Sequence, residues 1–312
     1  MTAPRPHADD NLRGILYMCA AVALFPFLNA SVKLLSADYP TAQIVWLRYL
    51  GHLAFMLILF LPRHGPALFR TSQPKAQWTR SVLLLSSTVL YFTALTFVPL
   101  TTAATISFTN PFIVTALSVP LLAEQVGPRR WAAVIIGFAG ALIIIRPGFE
   151  GFHPAALLVV GSAACYALYQ VLTRRIAGHD DPATTITYTA VIGALLSTLV
   201  GPFVWQTPVG LRDWLLFAGL GFFGGLGHYL VVKSFQWGQA LVLAPFGYGQ
   251  LIGATVLGYL LFGDFPDRWT WVGAAIVVAC GIYIAYREGV RGGARPLTPA
   301  KQCKQEESSG DD

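Results

Sequence analysis

Long apolar segments recur along this chain and constrain its fold more than any other feature. Ten of them alternate with short stretches rich in Pro, Gly and charge, and most have the length of about 20 residues that a helix needs to cross a bilayer. Because a chain in lipid must satisfy its own backbone hydrogen bonds, we predict an all-α integral membrane protein. The predicted spans are 14–35, 42–62, 78–97, 101–122, 129–146, 154–175, 184–204, 211–235, 240–262 and 268–286.

The composition argues against a water-soluble domain of this length. Hydrophobic residues make up 55% of the chain and charged residues only 12%, whereas charged residues are about a quarter of a soluble protein. The net charge of +6 does not indicate nucleic-acid binding, because the basic residues lie in short runs between apolar segments. The four cysteines are widely separated and form no metal-binding or disulfide pattern. No metal and no cofactor are therefore predicted.

Lysine and arginine residues predict how the chain is oriented. With the N-terminus inside, 16 of the 21 basic residues fall on the cytoplasmic side of the predicted spans. The opposite side receives only Lys33, Arg146, Arg212 and Arg268, and Arg48 lies within a span. Cytoplasmic loops carry an excess of positive charge, so both termini are predicted to be cytoplasmic.

An internal repeat divides the chain into two halves. Shifted by 140 residues, the segment 120–131 aligns with 259–271, so that Glu124 pairs with Asp264. A register one residue longer pairs Asn29 with Gln170. Five spans per repeat is an odd number, so the second copy must be inverted relative to the first, as in many transporters. The predicted domains are a cytoplasmic tail at 1–13, five-helix repeats at 14–148 and 149–288, and a disordered cytoplasmic tail at 289–312.

Four stretches of sequence carry a resemblance to a known family. They are WLRYL (46–50), PLTTAATISFTNPFIVTALSVPLLAEQ (99–125), RRWAAVIIGFAGALIIIRPG (129–148) and APFGYGQLIGATVLGYLLFGDFPD (244–267). Together they resemble the drug/metabolite transporter superfamily, in particular its EamA-like branch of ten-helix carriers. The resemblance implies a carrier in a bacterial inner membrane. The stretch TTAATISFTNPF is most similar to carriers assigned to S-adenosylmethionine uptake and to riboflavin uptake.

Polar side chains inside the predicted spans are costly in lipid and are therefore candidates for function. Arg48 is interpreted as the only strong charge well inside a span, and Asn110–Pro111 as a kink, because proline removes a backbone hydrogen bond. No catalytic residue is predicted. The predicted substrate-binding residues are Asn29, Arg48, Tyr91, Thr105, Asn110, Tyr166, Tyr169, Gln170, His228, Tyr229, Tyr248 and Gln250. The predicted structural or gating residues are Pro111, Glu124 and Asp264.

Each candidate also has a purely structural interpretation. In the structural interpretation, the Arg48 side chain extends towards a span end to reach water, or its charge pairs with helix carbonyls. Threonines such as Thr105 often link helices by hydrogen bonds. Tyr166 and Tyr169 share one helix face and equally pack against neighbouring helices. A lone histidine such as His228 is more often a packed residue of the bundle than a proton relay. The sequence leaves these alternatives open.

The position of the acidic residues limits the mechanism and the substrate. No Asp or Glu lies near the middle of a predicted span, so a carboxylate proton relay is not expected, and facilitated diffusion or exchange is the hypothesis. Desolvating a cation without a paired carboxylate is costly, whereas tyrosines and phenylalanines fit a flat aromatic solute with polar edges. The lead prediction is therefore riboflavin uptake. The alternative is uptake or efflux of S-adenosylmethionine, an amino acid or another metabolite.

Three functional classes compete for such a bundle. A carrier explains the repeat and the topology. A membrane-embedded enzyme would need a cluster of His, Asp or Glu on one face, which the sequence does not show. A channel or a non-transporting receptor is harder to exclude. The expected partners are a small-molecule substrate and the lipid bilayer but no nucleic acid, and the sequence allows a homodimer.

Overall fold

The protein is a bundle of α-helices. The computed structural model describes residues 11–122, 126–147, 153–176, 179–237 and 240–292, and within these ranges it contains helices and loops but no β-strand. Two short 3₁₀ helices lie at Gly65–Phe69 and Gly201–Val204. The α-helices are α1 (Asn11–Leu35), α2 (Thr41–His64), α3 (Pro74–Leu95), α4 (Leu100–Ser107), α5 (Asn110–Leu122), α6 (Pro128–Ile145), α7 (Ala156–Arg175), α8 (Pro182–Thr198), α9 (Gly210–Trp237), α10 (Ala240–Gly247), α11 (Gln250–Phe262) and α12 (Arg268–Gly292).

Seven helical segments of the described residues are long and apolar enough to cross a membrane. They are Leu12–Leu35, Thr41–Phe69, Leu100–Leu121, Pro128–Ile145, Ala156–Thr173, Gly210–Val231 and Arg268–Arg287. The predicted all-α membrane class is thereby confirmed, while the total of ten spans stays a prediction. Two predicted spans, 101–122 and 240–262, are each divided into two helices.

The predicted tails need a correction where they meet the first and last helices. α1 already begins at Asn11, so 11–13 is helical, and α12 continues to Gly292, so 289–292 is helical as well. Apolar periodicity does not detect these polar turns because they extend beyond the hydrophobic part of each helix. The rest of both tails, and Glu124, lie outside the described residues.

Aspartates cap the start of two of the helices. The Asp181 carboxylate accepts a hydrogen bond from the Ala183 backbone N–H at 2.7 Å, with Pro182 in the first turn of α8. Asp267 accepts from the backbone N–H and the hydroxyl of Thr270 at 2.8 and 2.7 Å at the start of α12. Burial acts to raise the pKa of Asp267, but these bonds and Arg146 outweigh it, so that its pKa is lowered. Both caps satisfy backbone donors that a helix start leaves free.

One end of the bundle, here called the Lys33 end, is held together by contacts between the two halves of the chain. The Lys33 ammonium donates to the Asp264 carboxylate at 3.1 Å and to the Val98 carbonyl at 2.9 Å. Arg146 pairs with Asp267, and Tyr39 donates to Asp213 at 2.7 Å. The C-terminal ends of α1, α3, α6 and α11 therefore meet at this end.

The opposite end, here called the Asp180 end, has its own link between the halves. The Asp180 carboxylate accepts hydrogen bonds from the Thr71 hydroxyl, from the Ser72 backbone N–H at 2.9 Å and from the Gln77 amide at 2.9 Å. Burial acts to raise the pKa of Asp180, but the bonds from Thr71, Gln77 and Ser72 outweigh it and hold the pKa at about 2. The loop between α2 and α3 is thereby fixed to the loop between α7 and α8.

The helices of the two halves pack in corresponding pairs. α1 packs along α9, and in the same way α7 packs along α3; α2 packs on α9, and α8 on α3. Where α2 crosses α9, Gly51 and Gly221 bring the two backbones into direct contact. A methyl group built on Gly221 would lie 2.5 Å from the Gly51 Cα. Small residues at such crossings are typical of helix contacts in membranes, where close packing supplies much of the stability.

We expect Gly221→Ala to destabilise the protein, because the added carbon overlaps the Gly51 backbone, which cannot move without shifting α2. Overpacking of this kind costs about 1–3 kcal/mol. Gly161→Ala is the matched control, since its added carbon meets only the Leu90 side chain at 3.4 Å. The melting temperature in detergent should fall for Gly221→Ala alone. Equal melting temperatures would show that the α2–α9 crossing tolerates separation.

Asp180→Ala should also lower the melting temperature, because four hydrogen bonds to a charged group are lost, each worth about 1.5–3 kcal/mol. A carboxylate with a lowered pKa stabilises the folded state above its ordinary pKa and loses that contribution as the pH falls through the folded pKa of about 2. The difference from wild type should therefore be full at pH 6 and shrink between about pH 4 and pH 2. The exposed Asp38→Ala variant controls for loss of charge. A difference that does not depend on pH would contradict the role of the ionised carboxylate.

Candidate functional site

Two helices are broken at equivalent positions, and the breaks touch each other. α4 ends and α5 begins around Phe108 and Thr109, and α10 gives way to α11 around Tyr248 and Gly249, 140 residues later. The Phe108 and Tyr248 rings are in contact, with centroids 4.7 Å apart. The break of each half therefore lies against the break of the other.

The first break leaves polar atoms without partners among the described residues. At the kink predicted at Asn110–Pro111, the helix is interrupted by a hydrogen-bonded turn at Phe108 and Thr109, with Asn110 as the first residue of α5 and Pro111 in its first turn. Proline is tolerated there because a helix start does not use that N–H. The Thr109 hydroxyl and the Asn110 side-chain carbonyl are buried with no hydrogen-bond partner in the described chain. Gln250, the repeat equivalent of Asn110, begins α11.

Arg48 is buried in the bundle with part of its guanidinium unsatisfied. Its side chain lies on α2 and is only 4% exposed. Its Nε and Nη1 atoms have no hydrogen-bond partner among the described residues. The guanidinium carbon instead lies over the Tyr49 ring at 4.6 Å and the Phe92 ring at 5.8 Å. These cation–π contacts stabilise the charge only in part, because they leave the N–H donors unused.

Two histidines lie beside this arginine. His52 follows Arg48 by one helical turn, is 2% exposed, and neither of its ring nitrogens has a partner among the described residues. Its ring stacks on His228 of α9 with centroids 5.9 Å apart, and Phe25 meets His228 edge-on at 5.4 Å. The charge of Arg48 acts on both histidines and on Tyr166. Arg48, His52 and His228 are here called the Arg48 cluster.

Arg80 shows what a satisfied buried arginine looks like in the same bundle. It is only 1% exposed, although it lies near the end of its predicted span. Its guanidinium donates to Gln77 at 2.8 Å, to the Thr185 carbonyl at 2.7 Å, to Thr173 at 3.0 Å and to Tyr169 at 2.9 Å. Position near a span end hid this burial, because basic residues there usually reach water. Arg80 is thus a structural cation.

Several predicted site residues make packing contacts or hydrogen bonds with other parts of the bundle. The Tyr169 hydroxyl accepts from Arg80, and the Tyr166 ring stacks on Tyr169 with centroids 5.6 Å apart. The Thr105 hydroxyl donates to the Thr101 carbonyl of its own helix at 2.7 Å. Tyr229 lies between the Phe60 ring and Lys233. These contacts agree with the structural interpretation of each residue.

The remaining predicted residues are distributed over α1, α3 and α7. Asn29 is buried on α1, Tyr91 of α3 lies next to Ser107, and Gln170 of α7 lies next to Tyr166. The predicted set therefore does not converge on a single point. His52 was missed by sequence analysis, although its spacing of four residues from Arg48 places both on one face of α2.

Two cavities lie where the halves meet. One, of about 670 Å³, separates α1 from the α10–α11 break and is lined by apolar side chains together with Pro26, Tyr248 and Gly249. The other, of about 360 Å³, lies at the Lys33 end and is lined by Asp264 and His153 among others. Within the described chain no group of His, Cys, Asp or Glu is arranged to hold a metal ion. The described interior therefore offers a ligand hydrogen-bond donors and aromatic rings.

Comparison with known proteins finds relatives of similar length. The chain is 30% identical to a riboflavin transporter of Vibrio cholerae over 89% of this chain and 94% of the relative. It is 30% identical to an S-adenosylmethionine uptake transporter of Rickettsia felis over 75% of this chain and 80% of the relative. It is 28% identical to a pseudopaline exporter of Pseudomonas aeruginosa over 86% and 94% of the two chains.

A solved structure shares the fold, and a family model matches both halves of the sequence. A crystal structure superposes with a TM-score of 0.63 at 22% identity, covering 91% of this chain and 99% of that chain, which shows the likeness of fold alone. The model of the EamA-like transporter family matches residues 12–146 and again residues 153–287. These matches confirm the family resemblance seen in the motifs. The chain therefore belongs to the EamA-like transporter family, as a multi-pass protein of a bacterial inner membrane.

Proposed function

We propose that this chain takes up a small organic metabolite by alternating access between two inverted five-helix halves, residues 14–148 and 149–288. The contact between Phe108 and Tyr248 carries the proposal. When two halves are related by a two-fold axis, a residue can contact its own repeat equivalent only if both lie beside that axis. A pair of broken helices meeting there is the arrangement that inverted-repeat transporters use to form a substrate site.

Ten crossings agree with the contacts at the two ends of the bundle. α4 with α5, and α10 with α11, each count as one crossing, and successive crossings then run between the Lys33 end and the Asp180 end. The first helix starts at the Asp180 end, since Arg13 of α1 lies over the Trp237 ring at the C-terminus of α9. The last helix finishes at the same end, since Arg287 of α12 lines one pocket together with Arg130, near the start of α6. The excess of basic residues also falls at that end. We therefore place the Asp180 end and both termini in the cytoplasm.

The substrate proposal rests on the relatives and on the interior chemistry. Two of the relatives are named for uptake of S-adenosylmethionine or transport of riboflavin, and one for export of pseudopaline. Riboflavin, the lead from sequence, and S-adenosylmethionine are both retained as substrates to test. Every carboxylate whose side chain is described lies at an end of the bundle or in a loop, which supports facilitated diffusion or exchange over a carboxylate proton relay. The proposed partners are the substrate and the bilayer, with no nucleic acid, and a homodimer is compatible with the fold.

Counterflow tests transport against the channel and receptor alternatives. Vesicles with reconstituted protein are loaded with unlabelled riboflavin or S-adenosylmethionine and diluted into a trace of labelled compound. A carrier accumulates label transiently above equilibrium, because exchange is faster than net loss, whereas a channel equilibrates and a receptor only binds. Phe108→Ala should slow exchange at least ten-fold by loosening the contact between the breaks. Phe203→Ala, which removes a ring that is 86% exposed, should leave exchange unchanged. Absence of counterflow for these and a panel of amino acids would contradict the proposal.

Thiol labelling tests the proposed topology. In a background without the four native cysteines, Lys75→Cys at the Asp180 end should react with an impermeant reagent only from the cytoplasmic side. Asp38→Cys, between α1 and α2 at the Lys33 end, should react only from outside. Both original side chains are exposed, so reactivity reports the side of the membrane and not burial. Labelling of both from the same side would show that α2 does not cross the membrane and would contradict the proposed topology.

A further inference from the structure

The Arg48 cluster carries a positive charge, and no anion among the described residues balances it. Two guanidinium nitrogens of Arg48 and both ring nitrogens of His52 are buried without partners among the described residues. A buried charge that lacks a partner costs several kcal/mol, so such a group persists where something else completes it. Arg80 shows that this bundle is able to satisfy a buried guanidinium with its own side chains and backbone. By contrast, no residue in the described ranges satisfies Arg48 Nε or Nη1.

The described carboxylates do not supply the missing charge. Asp180 is held by the loop between α2 and α3, and Asp213 accepts from Tyr39. Asp264 pairs with Lys33, and Asp267 pairs with Arg146. Each of these groups lies at an end of the bundle, while Arg48 contacts Tyr49 and Phe92 inside it. An anion for Arg48 must therefore come from outside the described chain.

The surroundings favour an anionic group that arrives on an organic molecule. Aromatic rings lie on the guanidinium and beside His228, and they form an apolar frame around the donors. Gly224 on α9 also lies beside the arginine: a methyl group built there would lie 3.8 Å from Arg48 Nε, so glycine leaves a methyl-sized space at this position. The cluster is shared by α2 and α9, which belong to different halves, and a ligand bound there would contact both.

We infer that the Arg48 cluster binds the carboxylate of the transported metabolite, and that the substrates are metabolites with an amino-acid or other carboxylate moiety. Arg48 donates charge-assisted hydrogen bonds through Nε or Nη1, and His52 provides a second donor one turn away. A carboxylate accepts several such bonds at once. This inference rests on the proposed transport function and sharpens it. Of the two lead compounds, S-adenosylmethionine carries a carboxylate and riboflavin has none, so the cluster reverses the preference for a neutral ring that follows from the sequence alone.

Ligand-induced thermal stabilisation of the purified full chain in detergent tests the inference apart from transport. The probes are S-adenosylmethionine with its decarboxylated analogue, amino acids with their amides, riboflavin and riboflavin 5′-phosphate. Wild type should bind a carboxylate at least ten-fold more tightly than its decarboxylated or amide form, because a hydrogen bond to a charged group is lost. Arg48→Gln should bring the two forms within about three-fold of each other, and Arg48→Lys should keep part of the difference.

Control variants separate recognition from folding. Arg129→Gln removes an exposed positive charge and should keep the wild-type preference. His52→Gln, which preserves a donor, should reduce the preference less than Arg48→Gln if His52 binds the same group. Equal binding of acid and amide by wild type, stabilisation by riboflavin alone, or no stabilisation by any carboxylate would overturn the inference. Stabilisation by riboflavin 5′-phosphate but by no carboxylate would overturn it in favour of a phosphate. In each case counterflow of any tested compound would leave the proposed transport function standing.

Discussion

A polar group inside a membrane bundle must be satisfied by the protein, by a ligand or by water, and this constraint orders the whole interior. Arg80 meets it through four hydrogen bonds that tie α3 to α7 and α8, and Thr105 meets it by bonding the Thr101 carbonyl of its own helix. Arg48 does not meet it within the described chain. The same side chain thus has two roles in one bundle, and the difference lies in its partners. A guanidinium that the fold completes is structural, and one that the fold leaves open is available for binding.

The proposed two-fold relation between the halves explains why the open groups lie where they do. Packing of α1 along α9 and of α7 along α3 leaves α4, α5, α10 and α11 to meet at their breaks. Broken helices end with free backbone groups, so their meeting place is a position where a polar solute costs the bundle least. The Arg48 cluster is assembled from α2 and α9, one helix from each half, next to the glycine crossing that brings those helices together. A motion of one half against the other would therefore change the distances between Arg48 and His52 on α2 and His228 on α9.

Local features of this fold were predictable from sequence, and features that depend on distant partners were not. Apolar length predicts the helices, and Pro111 marks the first break because its effect is on its own backbone. Sequence analysis counts Arg80 among the basic residues at span ends and does not detect its burial, because its partners Tyr169 and Thr185 come from 89 to 105 residues away. His52 was missed for the same reason, since only its stacking on His228 shows that it belongs to a cluster. The preference for riboflavin followed from counting charges without knowing which were already paired.

A structure of the protein with a bound carboxylate metabolite is the most direct measurement of the central claim that the substrate completes Arg48. The account predicts the carboxylate oxygens within about 3.2 Å of Arg48 Nε or Nη1, with His52 within hydrogen-bonding reach and Arg80 in its present contacts. A metabolite bound elsewhere, with Arg48 satisfied by ordered water or by residues outside those described, would contradict it.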